Sequence, residues 1–255
     1  MRVLGVIPAR YGSTRFEGKV LALLGGKPLL LHAVENARTA RCLTRVVVAA
    51  DDERVAQVAR SAGVDVVMSP ADLPSGSDRA AFAAGTLETG GDRYDLVVNI
   101  QADEPFLPGL AVDRAVDLLI EDPEADMATL AVPAAPEDTA DPHAVKVVLD
   151  KRGRALYFSR SAVPHGAGSP GGPQLLRHVG LYAFRRAYLD RFVGLGPSPL
   201  EKAERLEQLR ALEDGAVLRV AVGDWPGLGV DTREDLARAQ LYLEARTLTQ
   251  RRAEA

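Results

Sequence analysis

The stretch Arg45-Val46-Val47-Val48-Ala49-Ala50-Asp51-Asp52, continued by a helical pattern to Ala62 and by Gly63-Val64-Asp65-Val66-Val67-Met68, decides the fold. Its first six residues form a run of strand length, apolar on both faces, as a strand buried in a parallel sheet must be. Asp51 or Asp52 then offers a carboxylate to the unpaired N–H groups that open a helix. Gly63 supplies the residue that most readily ends one, and a second apolar run follows at once. Strand, helix and strand in so short a space make a β-α-β unit.

The unit repeats on both sides. Residues 3–7 read as an earlier strand. Pro28 opens a helical pattern through Arg38, with Leu29, Leu30, Ala33, Val34 and Ala37 on one stripe. A further helix is expected over about residues 78–87 and a fourth strand over residues 94–100. This alternation predicts an α/β, Rossmann-like layout, mainly parallel and flanked by helices, with ligands at the carboxyl ends of the strands.

The rhythm breaks after about residue 125. Residues 127–132, 145–150 and 155–158 are strand-like with no room for helices between them, and Asp150-Lys151-Arg152-Gly153 reads as a hairpin turn. A strand-rich insertion over about residues 126–190 is therefore expected within a single domain spanning 1–255, and such extensions often make dimer contacts. Leu200, Ala203, Leu206, Leu209 and Leu212 predict one helix over about residues 199–213. A short strand at 217–222 and a final amphipathic helix from Thr232 close the chain, with a frayed tail at 251–255. The segment 166–173 formally matches G-x-G-x-x-G, but without a strand before it and a helix after it reads as a loop.

Composition narrows the function classes. The 255 residues are 47% hydrophobic and 26% charged, enough to bury a core without staples. A net charge of −4 argues against a general nucleic-acid binder. The single cysteine, Cys42, excludes an intramolecular disulfide and a cysteine-cluster zinc site. No uncharged apolar run reaches the roughly 18 residues of a membrane span, and the N-terminus lacks the apolar core of a signal peptide, so a cytoplasmic location is expected.

Two strand ends carry chemistry. After the first strand comes Pro8-Ala9-Arg10-Tyr11-Gly12-Ser13-Thr14-Arg15-Phe16-Glu17-Gly18-Lys19, with Arg10, Arg15 and Lys19 set against Glu17 alone. Cations, hydroxyls and glycine backbone at such a position suit a triphosphate, though a solvated loop also fits. It is not a Walker A loop, because five residues rather than four separate Gly12 from Gly18 and Val20 follows the lysine. After the fourth strand, Asn99-Ile100-Gln101-Ala102-Asp103-Glu104-Pro105 presents carboxylates where Mg²⁺ could bridge to phosphate oxygens. Asp231, in Gly229-Val230-Asp231-Thr232, fits equally well as a second metal ligand or as a helix cap.

These stretches together resemble the sugar-acid cytidylyltransferases, and within them the branch acting on 3-deoxy-D-manno-octulosonate (Kdo). The segments 127–133, 142–150, 155–160 and 176–182 match in the same order, as do Pro197-Ser198-Pro199-Leu200-Glu201 and Leu206-Glu207-Gln208-Leu209-Arg210. The resemblance implies a nucleotidyltransferase fold of the glycosyltransferase-A-like kind. It also implies a homodimer that moves CMP from CTP to the Kdo anomeric hydroxyl for lipopolysaccharide synthesis. Catalysis would rest on Arg10, Lys19 and Asp103. Nucleotide would be bound by Pro8, Ala9, Arg10, Ser13, Arg15, Lys19, Ser75, Gly76, Ser77, Arg79 and Gln101, with Mg²⁺ on Asp103 and Asp231. Gln101, Arg160, His178, Tyr182, Glu207 and Gln208 would line the sugar-acid pocket.

Each pocket residue also has a plainer reading. His178 and Tyr182 fit strand packing, Glu207 and Gln208 a solvated helix face, and Arg160 a surface charge. The chain departs from the family's usual residues at Glu17, Ser77, Asp78 and Ala102, and in a short Gly/Pro-rich segment at 163–174. A cytidylyltransferase for another acid, such as 8-amino-Kdo or a sialic-type sugar, and a non-catalytic nucleotide-binding paralogue are the alternatives.

Overall fold

A computed structural model describes residues 1–12, 16–169 and 171–253, the side chains of 250–253 excepted. The elements run β1 (Val3–Ala9), β2 (Leu23–Leu24), β3 (Lys27–Pro28), α1 (Leu29–Arg38), β4 (Arg45–Ala50), α2 (Glu53–Ser61), β5 (Asp65–Met68), α3 (Gly76–Thr89) and β6 (Leu96–Ile100). They continue with α4 (Gly109–Glu121), β7 (Met127–Pro133), β8 (Lys146–Leu149), β9 (Ala155–Ser159), β10 (Leu176–Arg185), α5 (Arg186–Gly194), α6 (Pro199–Glu204), α7 (Gln208–Glu213), β11 (Leu218–Val222) and α8 (Arg233–Ala253). The main path of the sheet is β11-β7-β10-β6-β1-β4-β5, with β8 joined to β10 and β9 to β8.

The expected β-α-β units are present. β1 pairs in parallel with β4 and β6, and β4 with β5. Asp52, not Asp51, caps α2, its side chain accepting from Arg54 N at 2.9 Å. The predicted stripe of α1 is buried in full. One core lies between the sheet and α1, α2 and α4, and another on the opposite face under α3, α5 and α7.

β10 is the strand that shapes the site. It runs antiparallel to both β6 and β7, whereas β7 and β11 are parallel to one another. Its reversal carries the start of β10, Leu176 to His178, to the end of the sheet where β6 and β7 finish. The strand-rich part is the hairpin β8–β9 leaning on β10, with its turn closed by Asp150 N donating to Arg154 O at 2.9 Å.

Three expectations need correction. The helix expected over 199–213 is two helices, because Arg205 adopts a left-handed backbone with φ 55° and redirects the chain. Leu200 consequently faces outward, while Leu206 and Leu209 are buried. The reading passes over α4 and α5, although Ala111, Val112, Ala115, Val116 and Leu119 of α4 do recur at helical spacing on its buried face. Neither helix has a side-chain cap, and Pro108 and Arg185 stand where Ser, Thr or Asp would signal a start. Finally, α8 is capped by Thr232, whose Oγ1 accepts from Asp235 N at 3.1 Å, so Asp231 is not the cap.

Candidate active site

The site is built where the parallel strands end. β1 delivers Pro8 and, just beyond the strand, Arg10. The loop that follows is closed by Gly18 N donating to Tyr11 O at 3.0 Å, with Gly18 in the left-handed region at φ 65°. Lys19 then begins a short 3-10 turn and is almost wholly buried. Its Nζ lies 2.6 Å from Asp103 Oδ2, beyond the end of β6, and 2.8 Å from Asp231 Oδ1, ahead of α8. Burial alone would lower the lysine pKa; the two carboxylates outweigh it and hold the ammonium above its ordinary value.

Arg10, Lys19, Ser75, Gly76, Arg79, Gln101, Asp103 and Asp231 all line one cleft of about 300 Å³, together with Pro8 and Ala102. Val20, Leu73 and Pro74 complete it, three apolar residues that the sequence reading missed. They carry no chemical signature, and only the fold shows that they face a ligand. Ser13 and Arg15 lie outside the described residues. Ala9 and Ser77 are buried behind the cleft rather than on it. Arg79 is pinned by Ser69 Oγ and Pro70 O on Nη1 and by Asp51 Oδ2 and Ala71 O on Nη2, at 2.8–3.2 Å. With both terminal nitrogens committed within the protein, Arg79 stiffens this wall of the cleft.

Ser75 caps α3 and connects the cleft to the second half of the site. Its Oγ is 2.6 Å from Asp78 Oδ2 and 2.7 Å from Glu207 Oε1. One hydroxyl proton cannot serve both carboxyls, and Glu207, whose pKa burial raises, is placed to supply the second. From there Ser77, Asn99 and Gln101 continue a buried polar chain back to the cleft.

The residues expected to hold a sugar acid are thus divided. Gln101 lines the cleft and Glu207 stands behind Ser75. Tyr182 donates its hydroxyl to Gln208 Oε1 at 3.0 Å, and Gln208 Nε2 is buried without a hydrogen-bond partner. Burial pushes the Tyr182 phenol upward. His178 shares a 2.8 Å hydrogen bond with Thr129 and packs edge-on against Phe158; burial, then the nearby Arg177 charge, pushes it down to about 3. Arg160 does not face the cleft: its guanidinium donates to the carbonyls of Pro142, Glu204 and Arg205.

Asp103 and Asp231 suit a hard divalent cation. They are oxygen donors converging on one positive charge, the Lys19 ammonium, at the wall of an open cleft. Among the described residues no group of three or more His, Cys, Asp or Glu forms a cage. A cation there would need phosphate oxygens and water to complete its shell, as Mg²⁺ usually does.

Fold and site define a nucleotidyltransferase. Residues 4–219 match the cytidylyltransferase family. The chain is 45% identical to a 3-deoxy-manno-octulosonate cytidylyltransferase of Syntrophotalea carbinolica, over 95% of this chain and 99% of that protein. It is 45% identical to one of Bdellovibrio bacteriovorus, over 96% of this chain and 99% of the relative. Among solved structures, a CMP:2-keto-3-deoxy-manno-octonic acid synthetase complexed with CTP superimposes with a TM-score of 0.88 at 35% identity, covering 96% of this chain and 100% of that one. The chain belongs to the cytidylyltransferase family, and the fold that the sequence resemblance implied is the fold observed.

Proposed function

We propose that this cytidylyltransferase transfers CMP from CTP to the anomeric hydroxyl of Kdo, releasing pyrophosphate and supplying activated Kdo for lipopolysaccharide synthesis. The observation that carries the site reading is the convergence of Asp103 and Asp231 on Lys19 at the wall of the cation-lined cleft. The relatives' name and the CTP complex of the solved synthetase support the choice of substrates.

The anomeric oxygen attacks the α-phosphorus and gives up its proton to solvent; a new P–O bond forms, the bond from the α-phosphorus to the α–β bridging oxygen breaks, and pyrophosphate leaves. Arg10 and Lys19, with Arg15 from outside the described residues, neutralise the triphosphate and the charge that grows on the leaving pyrophosphate, and Ser13, also outside the described residues, helps hold the phosphates. Arg79, Ser75, Gly76, Pro8 and Gln101 seat the nucleotide. Asp103 and Asp231 would hold Mg²⁺, which supplies Lewis acidity at the α-phosphate and lowers the pKa of the attacking hydroxyl. Neither His178, committed to Thr129, nor Glu207, committed to Ser75, is available as a general base.

On the acceptor side, the unpaired Gln208 amide, the Tyr182 hydroxyl and Glu207 form a buried polar surface suited to a polyhydroxylated acid. The strand-rich part at about 126–190 is proposed to make the homodimer contact, which the exposed Leu156 on β9 supports. No helix among the described residues is long and apolar enough to cross a membrane, and cytoplasmic action is proposed.

The test is pyrophosphate release with CTP, Mg²⁺ and Kdo, omitting each in turn and substituting the other triphosphates. Release that requires all three is expected. Silence with Kdo but turnover with another sugar acid would move the substrate assignment. CTP binding with no turnover on any acid would make the chain a nucleotide-binding paralogue.

A further inference from the structure

The segment that delivers Asp231 is held from behind by a single arginine. Arg177 lies near the start of β10, opposite Val132 of β7 and Lys146 of β8. Its Nη1 donates to Gly227 O at 2.9 Å, and its Nε lies 3.2 Å from Asp138 Oδ2. A Cβ on Gly227 would stand 2.6 Å from Arg177 Nη2, so glycine is what allows the guanidinium to lie against this backbone. Two residues further on, a Cβ on Gly229 would meet Glu104 Oε1 at 3.0 Å. Val230 N donates to Asp103 O at 2.8 Å. Arg177 and the Asp103 backbone therefore hold successive points of the stretch that ends in Asp231, and Glu104 packs close against it at Gly229.

Behind the same stretch Glu104 is buried, with Oε2 lacking a hydrogen-bond partner. The Arg177 guanidinium is anchored in turn by its ion pair with Asp138, so the arginine is fixed at both ends.

We propose that Arg177 is a positioning residue for the pair that would hold the metal: by holding Gly227, it fixes the stretch that carries Asp231 in place against Asp103. This role rests on Asp103 and Asp231 being the metal ligands, so Asp103→Asn is carried through the same measurements.

Three quantities are measured on the full-length protein. They are the Mg²⁺ concentration for half-maximal turnover, Mn²⁺–CTP binding by water-proton relaxation, and CTP binding in EDTA. Arg177→Met and Gly227→Ala should each raise the Mg²⁺ requirement and weaken Mn²⁺–CTP binding about tenfold, the size typical of residues that orient metal ligands. CTP binding in EDTA should stay within about twofold, because Arg177 does not line the cleft. Gly227→Ala keeps every charge and carries the test if Arg177→Met does not fold. An unchanged Mg²⁺ requirement in folded Arg177→Met and Gly227→Ala overturns the role, as does equal weakening with and without metal. If Asp103→Asn keeps the wild-type metal response, the metal assignment itself fails and the role of Arg177 falls with it.

Discussion

The two halves of the site are built by different means. The half proposed to take the nucleotide is assembled from strand ends: Arg10 follows β1, Asp103 follows β6, and Ser75 opens α3 soon after β5. Each sits in a short contiguous motif whose position in a β-α-β unit already aims it at the carboxyl edge of the sheet. The half proposed to take the sugar acid is assembled from a reversed strand and a broken helix. Tyr182 and His178 depend on β10 running against its neighbours, and Glu207 and Gln208 depend on the turn at Arg205. Local pattern positions the first set, whereas long-range pairing positions the second.

If the nucleotide half is where the chemistry occurs, it should fail most severely. Asp103→Asn removes one of the two carboxylates on Lys19 and is expected to lower turnover on the order of 10³-fold with the fold intact, the scale seen when a preorganised charge is lost from a reaction centre. Steady-state rates beside a circular-dichroism spectrum check it. A wild-type rate would shift the chemistry away from this wall.

The acceptor half should instead show itself in stability against pH. His178 is held neutral down to about 3, far below its ordinary 6.5. Because the unfolded chain takes up a proton near pH 6.5 and the folded one does not, this contribution is complete above that pH. It drains as pH falls toward 3, with a slope approaching about 1.4 kcal/mol per pH unit. Urea unfolding midpoints at stepped pH, compared with His178→Gln, isolate it from the carboxylates that titrate in the same window. A slope identical in both proteins would mean that the imidazole is more open to solvent than the fold indicates.

A smaller effect separates the halves kinetically. Tyr182→Phe removes the hydroxyl that serves Gln208 Oε1 and leaves that amide unpaired, worth about 1–2 kcal/mol. The KM for Kdo should rise roughly tenfold while CTP binding is unchanged. Equal weakening of both substrates would erase the distinction between the two halves.

What could be read from the chain follows this division. Periodicity places β1, α1, β4, α2 and β6, and the cation-rich loop and Asp-Glu-Pro stretch mark the cleft from sequence alone. Asp231 stayed ambiguous because a carboxylate before a helix serves cap and metal alike; only the Thr232–Asp235 hydrogen bonds, in both directions, assign the cap elsewhere. Arg160 reads as a ligand through resemblance, yet each of its three guanidinium nitrogens donates to a backbone carbonyl, of Glu204, Pro142 or Arg205, contacts between segments that no local pattern links. The antiparallel course of β10 is a choice of partner rather than of residue type, since an apolar run looks the same in either direction.

The helix break is the subtlest of these features, and its test has the smallest expected effect. The leucine spacing from Leu200 to Leu212 favours an unbroken helix, but the chain turns at Arg205, a non-glycine residue with φ 55°. Such a backbone costs about 1–2 kcal/mol in an ordinary residue. The turn is held by Leu206 N donating to Glu201 O and by the Arg160 guanidinium on the Glu204 and Arg205 carbonyls. Arg205→Gly relieves the strain but gives the unfolded chain more freedom, so its net stability change should stay below about 1 kcal/mol. Arg205→Val should cost about 2 kcal/mol, because a β-branched side chain tolerates this backbone worst. If the break exists to aim Glu207 and Gln208, the valine variant should also lose affinity for Kdo while holding CTP normally, and the glycine variant should lose neither. A valine variant as stable as the parent would mean that the helix can run straight. The acceptor half would then owe its geometry to β10 alone.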